Sequence, residues 1–122
     1  MPYQTTIENR GLRVQWSGQA TTAELIRMQE AAHAHPAFET FHYAIHDFRE
    51  CEHFDHAQGD IEYSAALDGA ASMTNAQIRI AIVGTSDEIK TLVNVYMNTA
   101  LSPYPLRFFD TMDDARAWVA AA

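Results

Sequence analysis

Ile78-Arg79-Ile80-Ala81-Ile82-Val83-Gly84-Thr85-Ser86-Asp87-Glu88-Ile89-Lys90-Thr91-Leu92-Val93-Asn94-Val95-Tyr96-Met97 is the stretch that decides the fold class. Ile78 to Val83 is a short run rich in β-branched residues, the signature of a buried strand. Thr85 and Glu88 then stand at the Thr-x-x-Glu spacing of a capping box. After them Ile89, Leu92, Val93, Tyr96, Met97 and Ala100 recur at intervals of three and four, which places them on one face of a helix. Pro103 and Pro105 end that helix. A buried strand feeding an amphipathic helix is half of a βαβ unit, so the sheet is expected to be largely parallel.

The pattern extends in both directions. Toward the C-terminus, Leu106 to Phe109 reads as a strand, and Thr111 with Asp114 caps a last helix that turns Ala115, Trp118 and Val119 inward. Toward the N-terminus, Asp60 to about Met73 is an Ala-rich helix weakened at its end by Gly69. Phe41 to Phe48 is a strand in which Phe41, Tyr43 and Ile45 face one way and His42, Ala44 and His46 the other. Thr21 and Glu24 form another capping box, opening a helix with Leu25, Met28 and Ala32 on one face that ends before Pro36. Tyr3 to Ile7 and Leu12 to Ser17 are strands joined at Asn9-Arg10-Gly11, and so antiparallel. Strand, strand, helix, then alternating strands and helices imply right-handed crossovers after the first pair.

The alternation sorts the strand residues onto two faces. Leu12, Val14, Trp16, Phe41, Tyr43, Ile45, Ile78, Ile80, Ile82, Leu106 and Phe108 make one continuously apolar face. Arg13, Gln15, His42, Ala44, His46, Arg79, Ala81, Val83, Arg107 and Phe109 make the other, which is mixed and basic. A parallel sheet covered on both sides reads apolar on both. Most helices are therefore expected on the first face, with the second only partly covered. Arg13, Arg79, Arg107, His42 and His46 on the second face are candidates for a partner subunit or an anionic ligand. The bland reading is that these arginines lie flat and pair with nearby carboxylates.

Composition bounds the function. The chain has 122 residues, 48% of them hydrophobic and 20% charged, so residues 1–122 are expected to form one globular domain. Eight Lys and Arg against sixteen Asp and Glu give a net charge of −8. Such a surface repels a phosphate backbone, so no nucleic-acid partner is expected. The charge also disfavours anionic membranes, and no apolar run approaches the ~20 residues of a membrane span, so no membrane insertion is expected. The first residues show no basic start and no apolar core of a signal peptide. The single Cys51 forms no internal disulfide and offers no zinc-finger spacing. A reducing, cytoplasmic setting follows as the expectation.

Candidate chemistry gathers in one segment. All six histidines, namely His33, His35, His42, His46, His53 and His56, lie between positions 33 and 56, with Asp47, Cys51, Glu52 and Asp55 among them. Imidazole, thiolate and carboxylate are zinc and nickel ligands. His42 and His46 stand roughly 13 Å apart along a strand, too far to share an ion. His53 and His56 would share one if Asp55 began a helical turn, yet no recognised metal spacing is present. Asp47 to Asp55 follows the third strand's carboxyl end, where open α/β sheets place ligands. Asp47, Arg49, Glu50, Cys51 and His53 are thus the best-placed polar residues of an expected loop over 47–56. Cys51 and His53 offer a nucleophile and a base, but no oxyanion motif accompanies them. Gly84-Thr85-Ser86-Asp87 opens a helix without the glycines and lysine of a phosphate loop, and Thr85 as an ordinary cap accounts for it. No cofactor is implied.

Several of these segments together resemble the bacterial SpoIIAA-like proteins, which share the STAS (anti-sigma-factor antagonist) fold. They are Thr21-Thr22-Ala23-Glu24-Leu25, Ile45-His46-Asp47 with Phe48, Asp60-Ile61-Glu62, Arg79-Ile80-Ala81-Ile82-Val83, and Arg107-Phe108-Phe109-Asp110 with Ala115-Arg116-Ala117-Trp118-Val119. The resemblance spans nearly the whole chain and is greatest to an uncharacterised branch. It rests on core and capping residues, so it implies fold more than function. It implies an α/β superhelix of the SpoIIAA-like type, with a mixed, mainly parallel sheet, helices mostly on one face and an N-terminal antiparallel pair. It further implies a non-catalytic regulatory module, a homodimer or a regulatory protein partner. In the regulatory STAS proteins a kinase phosphorylates a serine that follows an aspartate. Here Asp47-Phe48-Arg49-Glu50-Cys51-Glu52-His53-Phe54-Asp55 has no Ser or Thr, and the next is Ser64, so that role does not carry over. The alternative expectation is a protein that binds a small molecule or metal, or an enzyme, using segment 47–56. The chain is expected to be too short for the gated lipid cavity of the Sec14 proteins.

Overall fold

The computed structural model describes residues 2–121. Among them the chain forms β1 (Tyr3–Ile7), β2 (Gly11–Thr21), α1 (Thr22–His33), a 3-10 turn (Phe38–Thr40), β3 (Tyr43–Asp55), α2 (Asp60–Ala71), β4 (Arg79–Val83), α3 (Asp87–Asn98), β5 (Leu106–Phe109) and α4 (Met112–Ala120). The strands lie side by side in chain order, β1-β2-β3-β4-β5. The β1–β2 pair is antiparallel and the other pairs are parallel. This is the mixed α/β sheet that the alternation of strands and helices predicts.

Local chemistry sets the element ends. Thr21 caps α1 as predicted: its Oγ1 accepts from the Glu24 amide, and the Glu24 carboxylate accepts from the Thr21 amide at 3.0 Å. The same threonine is the last residue of β2, so strand and helix meet without a loop. Thr111 caps α4 by accepting from the Asp114 amide. The cap of α3 falls one residue later than predicted. Ser86 Oγ accepts from the Ile89 amide at 3.3 Å. Glu88 therefore takes no part in a box with Thr85, and its carboxylate turns to β3 instead. Helix α2 stops at Ala71 rather than near Met73, and α3 stops at Asn98, with Ala100 beyond it at φ +55°.

Two strands are longer than their alternation suggests. β2 runs to Thr21 rather than Ser17, and its register with β3 shifts between Gln15 and Ser17 and between Gly18 and Gln19; β3 advances one residue further than β2 at each shift, so the bulges are in β3. Gly18, at φ +61°, stands opposite Cys51 at the second of them. β3 begins at Tyr43 and runs to Asp55, so the expected loop over 47–56 is strand for most of its length. The bulges break period two in β3 between Phe48 and Phe54, whereas β2 keeps it through Ala20.

The phase of β3 is also corrected. Register places Ala44 beside Leu12 and Ile80, and His46 beside Val14 and Ile82. Ala44, His46 and Phe48 thus face the helices, while Tyr43, Ile45 and Asp47 share the second face with Arg13 and Ala81. Phe41 misled the count. It is buried, but it precedes the strand and packs edge-on against Phe38 of the 3-10 turn, ring centroids 5.9 Å apart. A slip of one residue exchanges the two faces of a strand.

The main core lies between the first face and α1, α2 and α3, around Val14, Trp16, Met28, Phe48, Phe54 and Ile82. Helix α4 alone packs on the second face, where Ala115 and Val119 cover Ile45, Ala81 and Val83. The uneven cover expected from the sheet's composition is what the fold has.

Candidate functional site

Beyond Asp47, which pairs with Val83 at the end of β4, β3 continues with β2 alone as its partner among the described residues. This two-stranded extension carries five of the seven candidate residues. Asp47 is buried, and Arg49 grips it from two positions along: Nε donates to Oδ1 at 2.9 Å, Nη2 to Oδ2 at 2.8 Å, and the Arg49 amide to Oδ1 at 3.1 Å. Burial pushes the Asp47 carboxyl up, but the bonds and charge of Arg49 outweigh it and leave it below its ordinary value. Glu50 accepts from Gln15 Nε2 across the strand pair at 3.0 Å.

Cys51 and His53 do not form a nucleophile and base. The Cys51 thiol donates to the His53 carbonyl at 3.4 Å, and burial raises it above the ordinary thiol value. A thiol held protonated is a poor nucleophile. The His53 ring lies between two carboxylates, Nε2 at 2.6 Å from Asp55 and Nδ1 at 3.1 Å from Glu88. The Asp55 bond first, then the Glu88 charge, raises its pKa and favours the imidazolium. Glu88 also accepts from the Phe54 amide at 2.5 Å. The carboxylate that sequence reading gave to a helix cap thus ties the start of α3 to the free side of β3.

Arg79 and Arg107 stand apart from this extension, on the second face under α4. Arg79 Nη1 donates to the Trp118 carbonyl at 2.9 Å, and its guanidinium lies 5.2 Å from the Trp118 ring. Arg107 lies over Phe109 and Trp118 at 5.4 and 5.7 Å. The arginines do lie flat, but on aromatic rings more than on carboxylates. Arg13 approaches Glu8 at 3.5 Å. Glu8 is held to Arg116 by two bonds and accepts from the Tyr43 hydroxyl, and the Arg116 bonds first lower its pKa to about 2.

The histidines disperse to separate partners. His33 meets Asp68 at 3.2 Å, His35 accepts from the Ala37 amide, and His42 meets Arg10. His56 is exposed just past the end of β3. Among the described residues no group of three or more His, Cys, Asp or Glu side chains is arranged to hold a metal ion. His46 is the residue the sequence misplaced most. Assigned to the mixed face, it lies inside, 9% exposed, with Nδ1 accepting from Trp16 Nε1 at 3.2 Å. The usable signal was its parallel register with Val14 and Ile82, which a count within β3 alone could not supply. Among the described residues no helix is long and apolar enough to cross a membrane.

A family model described as SpoIIAA-like matches residues 12–120. No curated protein matches the chain. The structure of the anti-sigma factor antagonist SpoIIAA in its unphosphorylated form is similar, with a TM-score of 0.59 at 11% identity over 98% of each chain. The phosphorylated form of the Bacillus cell fate determinant SpoIIAA gives 0.58 at 14% identity, over 96% of this chain and 98% of that one. An uncharacterized DUF3478-family protein with a SpoIIAA-like fold from Shewanella loihica PV-4 gives 0.52 at 18% identity, over 96% and 91%. At these identities the likeness is one of fold.

Proposed function

The chain belongs to the SpoIIAA-like family, and from that premise we propose that it is a non-catalytic, cytoplasmic regulatory module of one domain that acts through protein contacts as a homodimer. The observation that carries this reading is the β2–β3 extension. Between Asp47 and Phe54, whose amide Glu88 takes, β3 presents an edge without a β4 partner, flanked by the exposed side chains of Arg49, Glu50, Glu52 and His53. An unpaired strand edge is a template for another chain, and charges of both signs around it fix register and exclude wrong partners. The family supplies a protein-binding precedent: the similar SpoIIAA is described as an anti-sigma factor antagonist. With Phe48 after Asp47 and no Ser or Thr between Asp47 and Ser64, contact here does not depend on a phosphoacceptor serine.

The ties among Asp47, Arg49, Cys51 and His53 favour a recognition surface over an active site. The Cys51 thiol is held above its ordinary pKa by burial, and the His53 imidazole is clamped by carboxylates.

Native mass spectrometry of the untagged protein tests this. The expected result is a dimer at twice 13.7 kDa, converted to monomer by Glu50→Lys with Glu52→Lys and unaffected by Arg107→Glu. A monomer at every soluble concentration would overturn the homodimer. A dimer that survives the double exchange but dissociates in Arg107→Glu would move the interface to the second face.

A further inference from the structure

β5 is an outermost strand of the sheet, with β4 on one side and no strand on the other among the described residues. Its bonds to β4 fix which backbone groups face out. The Pro105 carbonyl accepts from the Ile80 amide, and the Phe109 carbonyl from the Gly84 amide. Backbone groups alternate sides along a strand, so Arg107 also turns its amide and carbonyl toward β4, while Leu106 and Phe108 turn theirs outward. On that open side neither Leu106 nor Phe108 has a backbone partner among the described residues.

Beside this edge, on the second face, two cations share one ring. The Arg79 guanidinium lies 5.2 Å from the Trp118 ring centroid and that of Arg107 5.7 Å from it. Arg107 stands level with Ala81 across the β4–β5 pair, so Arg79 is its diagonal neighbour on the same face. Arg79 uses one N–H on the Trp118 carbonyl at 2.9 Å, as suits a cation at the C-terminal end of α4. Among the described residues neither guanidinium has a carboxylate within ion-pair distance, although Arg13, Arg49 and Arg116 each have one. The chain carries sixteen acidic residues, and none of those described answers this pair. Stacking on the indole restrains both side chains and leaves their other donors free, so little order is lost when an anion arrives.

We propose that the outer edge of β5 accepts an extended acidic segment of a partner protein as a sixth strand, with one of its carboxylate side chains bound by Arg107 and Arg79. Leu106 and Phe108 supply the backbone bonds, and the side chains that alternate onto the second face supply selectivity. A carboxylate matches the guanidinium fork, and here it also offsets the repulsion between the two cations. Charge argues against a second copy of this chain as the occupant. An antiparallel β5–β5 pair would keep both second faces on one side of the joined sheet and gather four guanidiniums there, and like charges across strands are destabilising. β1, at the other edge of the sheet, has no acidic residue to meet them. This surface goes beyond the β3 edge of the proposed dimer and is independent of it.

Amide chemical-shift titration of the full chain with acetyl-Val-Glu-Val-Glu-Val-amide tests this. The same peptide with Lys in place of Glu, and inorganic phosphate, are the comparison probes. Saturable shifts are expected at Leu106 to Phe109 and at the Trp118 indole, with slowed hydrogen exchange at the Leu106 and Phe108 amides. The Lys peptide should give no such shifts at equal concentration. Arg107→Gln replaces an exposed side chain and should leave the fold intact. It should weaken the Glu peptide about fivefold, the worth of one exposed ion pair, and leave the native mass unchanged. No saturable shift up to about 1 mM peptide, equal binding of the Lys peptide, or shifts centred on residues 48–54 would each overturn the proposal. Shifts at the Trp118 indole that inorganic phosphate reproduces, with no protection of the Leu106 and Phe108 amides by the peptide, would make this a small-anion site and overturn strand addition.

Discussion

His46 is held in a stack of aromatic rings, centroids 6.4 Å from Trp16 and 6.1 Å from Phe48, with Trp16 and Phe48 themselves 5.6 Å apart. Its folded pKa of about 4 lies below the ordinary 6.5. Above pH 6.5 neither folded nor unfolded chain protonates this ring, so it contributes no pH dependence. As pH falls from 6.5 toward 4 the unfolded chain binds the proton first, and stability is lost. His46→Phe should flatten that part of the profile, while Glu8, with its folded pKa of about 2, governs the acid side below it. Urea unfolding of both proteins between pH 7 and pH 4 checks this; equally steep profiles would mean that the ring takes up its proton in the folded state. The burial of this imidazole was hidden in the sequence because a histidine beside Asp47 and before Phe48 reads equally well on either face. Only the partner strands decide it.

At the scale of elements, capping was the most legible feature. Thr21 with Glu24 and Thr111 with Asp114 both formed as spaced, because a cap depends on residues within one turn. The Thr85–Glu88 pair failed because a tertiary partner, the Phe54 amide, outcompeted the local one. Gly69 illustrates the same limit. Propensity makes it a weak point of α2, and Gly69→Ala would add about 1 kcal/mol by that reasoning alone. In the fold, a Cβ at Gly69 would overlap the Leu101 carbonyl oxygen on the segment after α3. The substitution should therefore destabilise, by about 1–3 kcal/mol for an overpacked contact with backbone. Chemical denaturation measures the sign directly, and a gain in stability would show that the 98–101 segment moves aside freely. The expected loop over 47–56 differs from the fold for a related reason: most of it is strand, with Phe48 and Phe54 turned into the core between the polar residues.

For the molecule as a whole, the uneven cover of the sheet has an energetic counterpart. The first face has three helices and the larger core, while the second depends on α4. Trp118 holds that helix down by packing against Phe109, at 5.6 Å between centroids, and by lying over Arg79 and Arg107. Trp118→Ala should cost about 2 kcal/mol, less than a fully buried tryptophan because its ring is only half covered. Amide exchange should then rise in α4 and leave α1 unchanged; equal protection in both would mean that the two faces unfold as one unit. The strand order carries a further consequence. Because each strand lies beside the one before it, a growing chain can lay down the sheet from its N-terminal edge as it leaves the ribosome, with little searching across long loops. One contact cannot form on that schedule. Glu8, in the turn after β1, must wait for Arg116, 108 positions later. The carboxylate thus acts as a latch, closing only once α4 has been made.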